Sequence, residues 1–169
     1  MVTWQLLARG EISSLPKLFC AQPLLCSPIA SAILDELGED DGQAPACGGM
    51  SNPRYKGAPP AEAWNLPEKT IAEGTSIAKP VRLEECVDAV VRSEGGAVRV
   101  PEARISEAML ELARVGLYTE PTCATAAAAY QMLLESGRIG KDEVSVVILT
   151  STGVKATPSV AKLMGLPTE

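Results

Sequence analysis

The chain has 169 residues, 46% apolar but only 4% aromatic, with 15 basic and 21 acidic side chains, a net charge of −6 and no histidine. That is enough apolar chain to bury one core, and a negative balance without a basic stripe excludes a phosphate-neutralising nucleic-acid surface. Without histidine, the commonest metal ligand, the Ser-His and Cys-His nucleophile pairs and the commonest general base are all missing.

Plentiful alanine, valine and leucine with few aromatics suit helices packed closely on a sheet better than a β-sandwich. No run of 18 apolar residues occurs, so no membrane span is expected. The start, MVTWQLLARGEISSLP, lacks the basic-then-apolar signal pattern, and the expected location is the cytoplasm. The five cysteines (Cys20, Cys26, Cys47, Cys86, Cys123) are odd in number and form no CxxC pair. Reduced thiols are expected, rather than a disulfide framework or a zinc site.

Residues 4–9 read as the end of a helix closed by Gly10. Lys17 to Gln22 is a short apolar run bounded by prolines, the pattern of a buried strand. Ser27-Pro28 supplies an N-cap and a first-turn proline for a helix carrying Ile29, Ile33, Leu34 and Leu37 on one face, stopped by Gly38. Residues 39–68 are dense in glycine, proline and charge and have no period, so they read as an irregular, mobile surface insertion.

Beyond it, Leu83, Val87, Val90 and Val91 mark a helix that ends before Gly95-Gly96, and Ala97 to Val100 is a second strand. Ile105, Met109, Leu112 and Ala113 mark the next helix, which Gly116 stops. Thr122, read as its cap, opens an alanine-rich helix that ends at Gly137. Val144 to Leu149, β-branched and almost wholly apolar, reads as a central parallel strand, and Thr157-Pro158 opens a last short helix. Strands alternating with helices predict an α/β fold, a three-layer αβα sandwich on a mostly parallel sheet, forming one partial domain over 1–169.

Three motifs fall at predicted strand ends: Ala72-Glu73-Gly74, Glu120-Pro121-Thr122-Cys123-Ala124, and Leu149-Thr150-Ser151-Thr152-Gly153-Val154-Lys155. Ligands of parallel α/β sheets bind at the carboxyl ends of strands, so these motifs point to one shared pocket. In isolation each has a plainer role, Glu120 as a helix-start carboxylate and Thr150 as a turn hydroxyl.

Their order carries more. A chain reading xPxLxxxQ, then a long loop, AEGxxIxxPVR, EPTxA before an alanine-rich helix, and xVVxLTxxGxK resembles the C-terminal half of threonine synthase. More broadly it is similar to the fold-type II pyridoxal-phosphate enzymes, which include threonine dehydratase and the tryptophan synthase β chain. The resemblance runs from about Trp4 to Gly165, interrupted by the irregular segment. It implies that Thr150 stands where the family sets a hydroxyl against the pyridine nitrogen. A neutral hydroxyl does not enforce protonation of that nitrogen, which moderates the ring as an electron sink and suits elimination and replacement. It further implies that Glu120 is the strand-end carboxylate beside the ring and that Gly74 gives backbone room at the ring face. Ser151 stands where the family usually has glycine. Cys123 reads as a small packed residue, not a nucleophile.

The family's covalent cofactor lysine and glycine-rich phosphate loop both lie N-terminal to the matched region, and the sequence starts just beyond where that loop would end. No GGG-type loop occurs here, and Lys69, Lys79 and Lys155 do not match the lysine. No residue of this chain is therefore assigned as catalytic and none as a metal ligand. The resemblance implies a fragment or subunit that is inactive alone and takes pyridoxal phosphate only with the missing N-terminal half. Its partners would be that half or a second copy, and a small amino-acid substrate such as O-phosphohomoserine. Two alternatives stay open: a binding or regulatory domain that has lost catalysis, and a piece of a threonine dehydratase-like enzyme.

Overall fold

The computed structural model describes residues 2–39 and 69–167. The segment read as a mobile insertion lies, from residue 40 to 68, outside the described residues.

Helix α1 (Val2–Ala8) ends in a turn at Gly10, whose φ of +70° is one that an L side chain rarely adopts. The Arg92 guanidinium lies 4.3 Å over the Trp4 ring, which ties α1 to the end of α3 (Leu83–Arg92). Strand β1 (Phe19–Pro23) leads into α2 (Pro28–Leu37), which closes at Gly38 in the left-handed conformation. Ser27, the expected cap of α2, does not cap it through its side chain. The buried Gln22 does: its Oε1 accepts from the Ile29 and Ala30 amides at 2.8 and 2.9 Å. A long amide delivered from the sheet reaches donors that the short serine hydroxyl does not serve.

Strand β2 (Gly96–Val100) is buried along its whole length and pairs in parallel with β1, from Phe19↔Gly96 to Pro23↔Val100. Leu24 extends the ladder by donating to Val100 O at 2.8 Å. Because side chains alternate along a strand, the pair presents two apolar faces. Cys20 and Ala97 pack against α2 and α3 through Ala30, Ile33, Leu34, Leu83, Val87 and Val90. Phe19, Ala21, Val98 and Val100 pack on the other face, against α4 (Glu102–Arg114) and α5 (Pro121–Glu135). The expected α/β class with helices on both faces of a parallel sheet is therefore present. Ala124 and Ala128, both fully buried, let the axis of α5 approach the sheet closely. The last helix, α6, is Thr157–Leu163.

One expected strand differs. Among the described residues, Val144 to Leu149 is extended but belongs to no sheet, and none of its backbone groups is paired with another described residue. Val144, Val146 and Ile148 are 98%, 84% and 70% exposed, while Ser145, Val147 and Leu149 are half-buried. The period of two is that of a strand; what is missing is a neighbour to pair with. The motif Ala72-Glu73-Gly74 is likewise not at a strand end. It enters a 3-10 turn, Glu73–Thr75, that no described strand precedes. No helix among the described residues is long and apolar enough to cross a membrane.

Candidate functional site

The site is organised by the first turn of α5. Pro121 occupies the first helical turn, where its missing N–H costs nothing. Glu120 precedes it in extended conformation, φ −80° and ψ 160°. Its carboxylate sits at the positive end of the helix dipole and makes no hydrogen bond or ion pair within the described residues.

Upstream of Glu120 the chain runs beside the last motif. Thr119 and Thr152 form an antiparallel bridge, and the Gly153 amide donates to Tyr118 O at 2.9 Å. Gly153 is required for that approach, since a Cβ there would stand 2.8 Å from the Tyr118 ring and 2.9 Å from Thr119 O. Docked in this way, Thr150 and Ser151 reach the start of α5. Cys123 Sγ accepts the Ser151 amide at 2.9 Å and lies 3.4 Å from Thr150 Oγ1. Thr150 is exposed, and the buried Cys123 sulfur is its hydroxyl's hydrogen-bond partner among the described residues.

Gly74 arrives from the opposite direction. Its amide donates to Thr122 Oγ1 at 3.2 Å, and a Cβ on Gly74 would come within 2.9 Å of that same oxygen. The loop behind it is fixed to α4. Glu102 Oε2 accepts from the Ile71 amide at 2.8 Å and from Thr70 Oγ1 at 3.1 Å, and Thr70 Oγ1 accepts from the Ala72 amide at 3.1 Å. Glu102 stands in the first turn of α4, where the dipole favours a carboxylate.

All four residues singled out in the sequence, Gly74, Glu120, Thr150 and Ser151, therefore gather at one helix start. Two neighbours have other roles than those read from the sequence. Thr122 does not cap α5 but holds Gly74, and Cys123 is not packing alone but a hydrogen-bonding hinge for residues 150–151. Thr70 and Glu102 were not legible as site residues. Their only signal was a carboxylate at a helix start, which the dipole explains without a loop bound to it.

None of Cys20, Cys26, Cys86 and Cys123 is in a disulfide, and no three acidic or thiol side chains among the described residues are placed to hold a metal; Cys47 lies outside the described residues. Burial, with Cys86 adding to it, pushes the Cys20 thiol up to about 12. The thiolate is the nucleophile, so at pH 8 little of the Cys20 thiol would be in the reactive form. Iodoacetamide at pH 8 is thus expected to leave Cys20 unmodified in the folded chain, as read by peptide mass mapping, and to modify it once the chain is unfolded in urea.

Gly74, Thr150 and Ser151 offer a hydroxyl and backbone at the surface but no amine, a set that fits the ring of a flat heteroaromatic cofactor and supplies no covalent anchor. The comparisons with known proteins agree. The profile of the pyridoxal-phosphate dependent enzymes matches residues 3–151. The threonine synthase of Methanocaldococcus jannaschii is 36% identical over 127 residues, which is 74% of this chain and 31% of that protein. The threonine synthase of Methanosarcina acetivorans is 34% identical over 113 residues, 66% of this chain and 28% of that protein. The chain thus spans about a third of the length of these curated relatives. With a profile match over residues 3–151, which takes in Gly74, Glu120, Thr150 and Ser151, the chain belongs to the family of pyridoxal-phosphate dependent enzymes.

Proposed function

We propose that this chain supplies the pyridine-nitrogen side of the cofactor pocket of a threonine synthase-like enzyme, and that it is inactive without the portion carrying the covalent lysine and the phosphate loop. The observation that carries this reading is the convergence of Gly74 and of Thr150 with Ser151 on two adjacent residues, Thr122 and Cys123, of the EPTxA motif. In this arrangement Thr150 Oγ1 would meet the ring nitrogen, the Gly74 backbone would line the ring, and Glu120 would place negative charge beside it. Bound pyridoxal phosphate would supply an electron sink for loss of phosphate from the γ carbon and addition of water at the β carbon, O-phosphohomoserine to threonine. A cytoplasmic enzyme of amino-acid biosynthesis is the setting.

The unpaired edge of residues 144–149 supports the partnership. Three apolar side chains stand in water on a strand whose backbone groups are unpaired among the described residues, a surface suited to receiving another strand. That strand leads directly into Thr150, so the partner that covers it would also complete the pocket.

Mixed alone with pyridoxal phosphate, the chain is expected to give no saturable absorbance change beyond that of an unrelated lysine-bearing protein. Covalent capture needs an amine that is activated and aimed at the aldehyde. A stoichiometric change abolished by one lysine substitution would overturn the reading. Joined to a polypeptide that carries the lysine and the phosphate loop, the chain should support phosphate release from O-phosphohomoserine with formation of threonine. Release of an oxo acid from threonine would point to the dehydratase-like alternative.

A further inference from the structure

We propose that Thr122 and Cys123 are the positioning residues of this site, two adjacent side chains that set the spacing between the Gly74 loop and the Thr150–Ser151 loop and fix which way the Thr150 hydroxyl donates. The proposal rests on Gly74 and Thr150 being the cofactor-facing groups.

The two loops come from distant parts of the chain, and no hydrogen bond among the described residues joins one directly to the other. Each is held instead by α5. Thr122 Oγ1 accepts the Gly74 amide at 3.2 Å, and Cys123 Sγ accepts the Ser151 amide at 2.9 Å. Consecutive residues on a helix point about 100° apart, so this pair sends one tether to each side of the helix start. Thr125 stiffens the turn that carries them, its Oγ1 donating to Pro121 O at 3.1 Å.

Cys123 has a second task. Its sulfur is buried, and Thr150 Oγ1 lies 3.4 Å away. Either atom of that contact can be the donor; with a sulfur lone pair taking the Ser151 amide, the proposed direction is S–H to Thr150 Oγ1. A hydroxyl that accepts on its inner side has its own proton left for the exposed side, where a ring nitrogen would accept it. A small apolar residue would fill most of the space and do neither. Serine would do both across a slightly longer gap.

Amide hydrogen exchange in this chain, without cofactor, tests the tethers. A lost hydrogen bond of about 1.4 kcal/mol corresponds to tenfold faster local opening. Cys123→Ala is expected to speed exchange at Ser151 about tenfold while leaving Gly74 near wild type, and Thr122→Val to do the reverse. Cys123→Ser and Thr122→Ser should retain slow exchange, and the Val98 and Val100 amides should not change in any variant. Core amides that accelerate together with the loop, or a Ser151 amide as fast in wild type as in Cys123→Ala, would overturn the proposal. The enzyme joined to its lysine-bearing portion separates this outcome from failure of the cofactor reading. There, Cys123→Ala should give part of the cofactor spectral shift of Thr150→Ala, and Cys123→Ser none. A cofactor spectrum unmoved by Cys123→Ala but moved by Thr150→Ala overturns the positioning role alone. One unmoved by Thr150→Ala overturns the cofactor reading on which it rests.

Discussion

Gly95→Ala is expected to leave the chain without a stable fold. A Cβ at Gly95 would stand 1.7 Å from the Leu18 carbonyl oxygen, 2.7 Å from its carbon and 2.9 Å from its nitrogen. All three are backbone atoms, so no side chain can turn aside to make room. Leu18 is also held from both directions. Its amide donates to Ser93 Oγ at 2.9 Å, and its carbonyl accepts from the Gly96 amide at 3.1 Å. These contacts sit where β1 begins to pair with β2, so relieving the clash means moving one strand off the other. That would open both apolar faces of the sheet, since Cys20 and Ala97 fill one layer while Phe19, Ala21, Val98 and Val100 fill the other. Overpacking that a core can absorb costs about 1–3 kcal/mol. A backbone clash in the only strand pair among the described residues belongs above that range, at about 4 kcal/mol or more, against a typical total of about 5–15 kcal/mol. Thermal unfolding followed by circular dichroism should show a midpoint lowered by at least about 10 °C, or no transition at all. A midpoint within about 2 °C of wild type would mean that the β1–β2 approach is looser than described. Gly116→Ala is the useful contrast. Its φ is +86°, but nothing lies within 4 Å of the added carbon, so it should cost only the local conformational strain of about 1–2 kcal/mol.

Gly95 also marks where sequence reading stops being sufficient. As one of a pair of glycines after an amphipathic helix, it reads as a helix stop. The reason it must be glycine lies at Leu18, just ahead of β1 and far away along the chain, and no local pattern contains that. The elements themselves were legible because their signals are local: apolar runs at β1 and β2, a helical apolar face and a left-handed glycine for α2, small residues throughout the buried side of α5. Local rules gave way wherever a partner from another element competed. Ser27 lost the cap of α2 to Gln22, and Thr122 was drawn from its expected capping role to the Gly74 amide. Val144 to Leu149 shows a third case. Its composition specifies an extended, apolar segment, and the segment is extended, yet membership of a sheet is a property of two strands. The candidate site followed the same division. Which segments meet at the start of α5 could be read from the order of the motifs, whereas how they are held required Cys123, Glu102 and Thr70, whose hydrogen bonds join segments distant in the chain.

In the enzyme joined to its lysine-bearing portion, Thr150→Ala is expected to lower turnover by about ten- to a hundredfold while changing stability little. Thr150 is exposed at the end of an extended segment, and its hydroxyl's hydrogen-bond partner among the described residues is the Cys123 sulfur. Losing that weak contact costs the fold at most a small fraction of its stability, because the Ser151 amide continues to tether the loop to the same sulfur. In the proposed role, catalysis would depend on the hydroxyl differently. A hydrogen bond to the ring nitrogen strengthens as negative charge spreads into the ring, so it is worth more in the transition state than in the ground state. At about 1.5–3 kcal/mol for a hydrogen bond to a charged group, the loss in rate follows directly. The decrease should fall on kcat more than on KM, since an interaction made mainly in the transition state is what is removed. Thr150→Ser keeps the hydroxyl and gives up only the methyl that restricts its rotamer, so most activity should remain. Thr150→Asp should shift the cofactor absorbance, because a carboxylate raises the proton affinity of the ring nitrogen and makes the ring a stronger electron sink. Should Thr150→Ala instead lower the melting temperature and leave kcat and the cofactor spectrum unchanged, the hydroxyl serves only the strand end, and the assignment of this face to the ring nitrogen fails with it.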